Sequence, residues 1–170
     1  MDFRPFVRDI VDFPENGVVF KDITPLLKSP EALKAACDTL HGLIGELKID
    51  KVVGVDSRGF IFAPMLASKL GAGFVPIRKA GKLPYKTNSE SYDLEYGSGT
   101  LEIHTDAILK GEKVLVHDDV LATGGTAKAV CKLVESLGGE VVQCNFLIEL
   151  TFLNGSDQLK GYQTEALLKY

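Results

Sequence analysis

The sequence predicts an α/β fold: a central, mostly parallel sheet flanked by helices, with a β-hairpin projecting from it and an appendage at the N-terminus. Short apolar runs alternate with segments of helical periodicity, the signature of repeated strand–helix–strand units. The rhythm breaks once, across residues 79–99, and then returns. The 170 residues, 45% hydrophobic and 25% charged, suit one folded domain with a sizeable core.

Residues 1–28 read as an appendage: a short helix, then a turn at Phe13-Pro14-Glu15-Asn16-Gly17. Ser29-Pro30-Glu31 is a helix start, a capping hydroxyl followed by proline and an acid. Leu33, Ala36, Cys37, Leu40, Ile44 and Leu47 continue it at helical spacing. Residues 51–56 read as a short buried strand and residues 60–70 as a helix ended by Gly71. Residues 73–78 form a second strand, whose Pro76 places it at an edge or near a strand end.

Residues 79–99 hold lysines, Pro84, Asn88, serines and tyrosines. Strand character at 91–95 and 100–104 flanks Gly97-Ser98-Gly99, so residues 79–104 read as a long, flexible loop feeding a hairpin. A loop of that length inside a compact domain points to function. Residues 113–118 are a strand. Residues 124–137 are a helix with Ala127, Val130, Cys131, Val134 and Leu137 on one face, and residues 140–150 are a further strand. The whole chain, 1–170, reads as a single domain.

Charge and cysteine usage exclude several functions. Nineteen Lys and Arg stand against 23 Asp and Glu, and only four of the basic residues are arginine: Arg4, Arg8, Arg58 and Arg78. A weakly acidic, arginine-poor chain lacks the many phosphate contacts of a nucleic-acid binder. No apolar run approaches a membrane span, and residues 1–10 lack the apolar stretch of a signal peptide. Cys37, Cys131 and Cys144 form no CxxC pair and fall on apolar positions, reading as reduced core residues of a cytoplasmic protein.

The most informative segment is Val114-Leu115-Val116-His117-Asp118-Asp119-Val120-Leu121-Ala122-Thr123-Gly124-Gly125-Thr126. A buried strand runs into two acids, a loop of small residues and a helix. Ligands of open α/β sheets bind beyond the carboxyl ends of the strands. Gly124 and Gly125 allow close approach, and the following helix N-terminus presents free N–H groups to a phosphate. The result is a phosphate cradle without a Walker lysine. Two acids beside it are wrong for phosphate alone but right for a ligand that also carries hydroxyls, which carboxylates bind strongly. The ligand read from the loop is a sugar phosphate.

That run resembles the ribose-5-phosphate signature of the type I phosphoribosyltransferases, which join a base to 5-phosphoribosyl 1-pyrophosphate (PRPP) and release pyrophosphate. Its Asp-Asp-aliphatic-aliphatic-Ala-Thr-Gly-Gly-Thr form resembles the adenine-using branch. Three further segments resemble that branch. Phe13 to Asp22 is similar to its base-binding N-terminal hood. Asp56-Ser57-Arg58-Gly59-Phe60 is similar to its pyrophosphate loop, and Arg78-Lys79-Ala80-Gly81-Lys82-Leu83-Pro84 to its basic element past the next strand. The resemblance spans residues 9–155 and continues through the hairpin at Tyr92 to Tyr96 and Leu101 to His104.

The resemblance implies a Rossmann-like fold, a Mg²⁺-dependent transfer of phosphoribosyl from PRPP to adenine N9, and a homodimer. It implies that Asp118 and Asp119 hold the ribose hydroxyls, while Ala122, Thr123, Gly124, Gly125 and Thr126 hold the 5′-phosphate. Ser57, Arg58, Arg78 and Lys82 would take pyrophosphate, Arg78 and Lys82 reaching the partner subunit's site. Phe20 and Val120 would sandwich adenine, with backbone groups of Val19 and Lys21 reading its edge. Lysine stands at 21 where arginine is common, a change that a backbone contact survives. Glu95 is the implied acid/base and Tyr96 a cover for the site. Mg²⁺ would bridge substrate oxygens and need no direct protein ligand. His117 replaces a common aliphatic residue, either to orient Asp118 or as a satisfied polar residue at a strand end. A transferase for xanthine or another 6-oxopurine, or a non-catalytic PRPP-sensing regulator, are the alternatives. The Phe13 to Asp22 segment argues against the first. The lack of room for a DNA-binding domain before Phe13 argues against the second.

Overall fold

The computed structural model describes residues 1–94 and 97–170, with the backbone alone for 93, 94, 97 and 98. Contacts divide the chain into two compact units, Met1–Thr39 and Leu40–Tyr170, the division falling within a helix.

In the first unit the expected short helix is only a 3₁₀ turn, Arg4–Phe6, with Pro5 as its second residue. It leads into a strand pair that the sequence does not announce, β1 (Arg8–Val11) antiparallel to β2 (Val19–Asp22). Strands of four residues are too short to display a readable alternation. Asp12 and Gly17 turn the chain between them with φ of 58° and 87°. The Asp12 carboxylate accepts the Gly17 N–H at 2.8 Å. Cross-strand ion pairs join Arg8 to Asp22 and Lys21 to Asp9. The Thr24 backbone N–H, then Arg8, hold the Asp22 carboxyl down to about 2. A short helix, α1 (Thr24–Leu27), precedes α2 (Pro30–Gly42). As its sequence requires, Ser29 Oγ accepts the Ala32 N–H at 3.2 Å and caps α2. The helix stops at Gly42, short of the predicted Leu47. Gly45 then adopts the left-handed φ of 64° that ends helices.

The second unit is built on β3 (Lys51–Val55), α3 (Gly59–Leu70), β4 (Gly73–Lys79), β5 (Thr87–Leu94), β6 (Gly97–His104), β7 (Lys113–Leu121), α4 (Gly125–Ser136), β8 (Glu140–Glu149) and β9 (Thr164–Lys169). The sheet order is β5-β6-β4-β3-β7-β8-β9. From β4 to β9 the strands are parallel, while the β5–β6 hairpin joins antiparallel through Arg78 and Lys79. Along Gly73–Ile77, β4 is therefore bonded on one side only, which accommodates Pro76.

The hairpin strands are longer than predicted and shorten the preceding loop to residues 80–86. Strand β7 also runs past its predicted end to Leu121, so Asp118 and Asp119 lie within the strand. No element is predicted past Leu150. The structure adds 3₁₀ turns at Thr151–Leu153 and Gly155–Leu159, then β9.

Helices cover both faces of the sheet. Val53 and Val55 point into the core that Ala127, Val130 and Val134 of α4 complete. Gly54, between them, faces α3, where an added Cβ would lie 2.7 Å from Ala63 Cβ. The three cysteines are buried thiols, with Cys131 Sγ 3.6 Å from Cys144 Sγ.

A buried polar layer lies on β7 and β8. Asn145 Nδ2 donates to the Leu40 carbonyl at 3.2 Å, and Gln143 Nε2 donates to that of Leu43 at 3.0 Å. These carbonyls lie at the end of α2, where helix carbonyls lack intrahelical partners. The Asn145 amide is thereby oriented with Oδ1 toward His117 Nδ1, 3.1 Å away, so Nδ1 carries the proton. Burial holds His117 neutral, down to about 4.

Candidate active site

The end of β3, the latter part of β7 and the starts of α3 and α4 assemble the site. Past β3, Asp56-Ser57-Arg58 turns directly into α3, and the Asp56–Ser57 peptide is cis. Alongside, β7 presents Asp118 and Asp119. Gly59 opens α3 so close to β7 that a Cβ there would lie 2.9 Å from Asp118 Oδ1. Glycine is what admits the acid beside the helix start.

Arg58, Asp118 and Asp119 line one cavity of about 260 Å³, together with Asp56, Lys79 and Thr126. Arg58 Nε lies 2.7 Å from Asp119 Oδ2, and the Asp119 N–H donates to Asp118 Oδ1 at 2.8 Å. Burial, followed by the neighbouring Asp119 charge, raises the Asp118 carboxyl well above the usual carboxylate range. Burial also raises Asp119, against the pull of the Arg58 guanidinium. Two acids that resist ionising together gain most from a ligand that brings hydroxyl donors or positive charge.

The predicted cradle follows. Gly124 adopts a φ of 85°, and Ala122, Thr123, Gly124 and Thr126 wrap, with Val120, a cavity of about 70 Å³ at the start of α4, while Gly125 lines the neighbouring cavity. Its support comes from a residue that the sequence does not single out. Gly155 packs backbone to backbone against the loop, and a Cβ there would lie 2.1 Å from the Ala122 carbonyl oxygen and 3.0 Å from the Gly124 nitrogen.

Of the predicted site residues, the structure thus brings Ser57, Arg58, Asp118, Asp119 and Thr126 around one cavity. Arg78 donates from Nε to Asp56 Oδ2 at 2.8 Å and from Nη1 to the Lys82 carbonyl at 3.2 Å, while Lys82 lies exposed in the turn after β4. His117 bonds to Asn145 rather than to Asp118, which is the structural of its two readings. On the first unit, Val19 is exposed on β2, and the Phe20 ring meets Phe13 edge to face at 5.2 Å. The Lys21 ammonium pairs with Asp9 at 2.7 Å. Glu95 and Tyr96 lie outside the described residues. Among the described residues no three His, Cys, Asp or Glu side chains gather as a metal site. No helix among them is long and apolar enough to cross a membrane.

The family model of the phosphoribosyl transferase domain matches residues 22–162. An adenine phosphoribosyltransferase of Christiangramia forsetii is 64% identical over 170 residues, 100% of this chain and 99% of its own. A crystal structure of adenine phosphoribosyltransferase from Rhodothermus marinus superposes with a TM-score of 0.95 at 54% identity, over 99% of this chain and 96% of that one. The Saccharomyces cerevisiae enzyme, complexed with an imino-altritol bisphosphate and adenine, superposes at 0.92 with 40% identity, over 98% of this chain and 96% of that one. With its paired acids, its glycine cradle and these relatives, the chain belongs to the phosphoribosyl transferase family and groups there with the adenine phosphoribosyltransferases.

Proposed function

We propose that this protein transfers the 5-phosphoribosyl group of PRPP to N9 of adenine, giving AMP and pyrophosphate in purine salvage. The observation that carries the reading is the gathering of Arg58, Asp118 and Asp119 on one cavity beside the Ala122 to Thr126 cradle. An anion cradle, a sugar-binding acid pair and a cation for a leaving anion are the three parts that PRPP demands. Adenine as the base is supported by the relatives' names and by the yeast structure that holds it.

Breaking the C1–pyrophosphate bond builds positive charge on the ribose and negative charge on the leaving group. A site that catalyses this must stabilise both and fix the base in line. In the proposed mechanism the cradle N–H groups and the hydroxyls of Thr123 and Thr126 hold the 5′-phosphate. Asp118 and Asp119 accept the ribose hydroxyls and, once ionised, face the developing positive charge. Arg58 and Ser57 receive pyrophosphate, Arg58 exchanging part of its ion pair with Asp119 for the leaving group. Phe20 and Val120 flank the base, backbone groups of Val19 and Lys21 read its edge, Glu95 exchanges the ring proton and Tyr96 covers the site.

The donor set fits Mg²⁺ carried in by the substrate. Asp56, Asp118 and Asp119 are hard oxygen donors on the same cavity. Mg²⁺ keeps several waters when bound, so these residues would hold it without a protein cage. When bound, it neutralises charge on the leaving pyrophosphate. We further propose that the enzyme works in the cytoplasm as a homodimer, with Arg78 and Lys82 near the partner's site. For Arg78 this requires exchange of its Asp56 contact.

Pyrophosphate release from PRPP, assayed with adenine, hypoxanthine, guanine, xanthine and orotate in turn, tests the reaction. Turnover with adenine is expected. Turnover with an oxopurine alone would overturn the substrate, and no turnover with any base would overturn the enzyme reading. Site sharing is tested by mixing inactive Arg58→Ala and Lys82→Ala subunits. Activity should return as heterodimers form, and proven heterodimers without activity would refute the arrangement.

A further inference from the structure

We infer that Tyr92 is a positioning residue for the pyrophosphate end of the substrate, a wall held in place by Gly99. The inference deepens the proposed reaction and rests on that reading of the site. Tyr92 on β5 lies directly opposite Gly99 on β6. Its ring occupies the space where a side chain at 99 would stand: a Cβ there would lie 2.6 Å from Tyr92 Cζ, 2.7 Å from its hydroxyl oxygen and 2.8 Å from Cε1. The same ring packs against the apolar core that Leu101 and Ile103 help to form. It is therefore clasped between a glycine backbone and packed side chains, and a rigid ring so held moves as a whole when a group is added at 99.

Two cavities meet at this ring. One is the cavity of Arg58, Asp118 and Asp119. The other, about 360 Å³, runs between β5 and α4 and is lined by Glu90, Thr123, Gly125, Lys128, Lys132 and Gln158. Tyr92 lines both. In the second cavity Lys132 Nζ already pairs with Glu90 Oε1 at 2.7 Å, and Lys128 Nζ donates to Gln158 Oε1 at 3.1 Å. An aromatic wall between two charged cavities does two things. It denies pyrophosphate a path toward the lysines of α4. It also keeps the second cavity's water away from Arg58 and the acids, where exclusion of water strengthens every charge interaction.

Steady-state kinetics with PRPP and adenine, calorimetry with inorganic pyrophosphate and thermal melts of each variant test this. Tyr92→Ala should raise KM for PRPP at least about 10-fold, with KM for adenine changed less than about 2-fold, and Tyr92→Phe should stay within about 2-fold of wild type. Gly99→Ala should reproduce the Tyr92→Ala defect, because the new methyl displaces the ring, and should add nothing to it in the double variant. If Tyr92→Ala melts early, Tyr92→Leu, which keeps the core contact but not the full wall, carries the same expectation. An unchanged KM for PRPP in a folded variant, or additive defects at 92 and 99, would overturn the inference. Calorimetry separates it from the reading it rests on. If wild type turns over no base yet binds pyrophosphate, and Tyr92→Ala binds it at least about 10-fold more weakly, the reaction is wrong and the wall stands. If wild type does not bind pyrophosphate, the wall falls as well.

Discussion

The Arg58 guanidinium and the Asp119 carboxylate, one from the turn after β3 and one from within β7, form an ion pair 2.7 Å long on the lining of the cavity. The pair joins the residue proposed for the leaving group to one proposed for the sugar. Arg58→Ala should therefore do more than remove a cation. It leaves Asp119 buried beside Asp118 without its counter-charge, so both carboxyls move further up. We expect kcat/KM for PRPP to fall at least about 100-fold. An unchanged value in a folded variant would remove Arg58 from the mechanism.

Asp118→Asn should raise stability while abolishing most activity. The folded pKa of Asp118 lies above its unfolded value, chiefly through burial. As pH rises from the unfolded value through the folded one, the native state keeps a proton that the unfolded chain has lost, so stability falls and stays lower above that window. Asparagine has no such titration. The melting temperature at neutral pH should rise above that of wild type. A melt at or below that of wild type would contradict the burial argument.

His117 contributes with the opposite sign. Its folded pKa is depressed to about 4, against an ordinary 6.5, because burial disfavours the imidazolium. As pH falls from 6.5 to about 4, the unfolded chain takes up a proton that the native state refuses, so stability is lost across that window. The loss amounts to about 3 kcal/mol at most. Urea melts from pH 7 to 4, run in the Asp118→Asn background to remove the opposing effect, should show it. His117→Gln in that background should flatten the profile, and an equally steep profile would place the acid sensitivity elsewhere.

Gly155→Ala should weaken binding at the cradle from outside it. The added methyl meets the Ala122 carbonyl and the Gly124 nitrogen, both backbone, so the loop itself has to move. We expect AMP affinity by calorimetry to fall at least about 10-fold, with a stability loss of about 1–3 kcal/mol typical of overpacking. Unchanged AMP affinity would show that the loop keeps its shape without this support.

The parallel core and the cradle were legible because their signals are local. A strand rich in Val and Leu, two acids and a glycine pair fall within one short run. The Ser29 cap was legible for the same reason. What escaped depends on contacts between distant segments. Nothing beside Gly155 marks it as the support of a loop some thirty residues earlier. Gly59 and Gly99 look like ordinary turn and hairpin glycines until Asp118 and Tyr92 fill the space that a side chain would take. Arg78 was readable as a basic residue past a strand, but its Asp56 partner lies on a different strand end. The β1–β2 pair and β9 were missed because short or late strands gain their stability from pairing rather than from pattern.

The contact between Gly155 and the cradle also bears on the order in which this protein is made. Synthesis runs from the N-terminus, so the cradle sequence leaves the ribosome before the segment that braces it, and β9 follows later still. A nascent chain halted before Gly155 carries the acids, hydroxyls and amides of the proposed sugar-phosphate site but lacks the backbone that packs against the Ala122 carbonyl. A chain that ends before Gly155 is therefore expected to bind a sugar phosphate more weakly, although it retains the residues of the cradle itself.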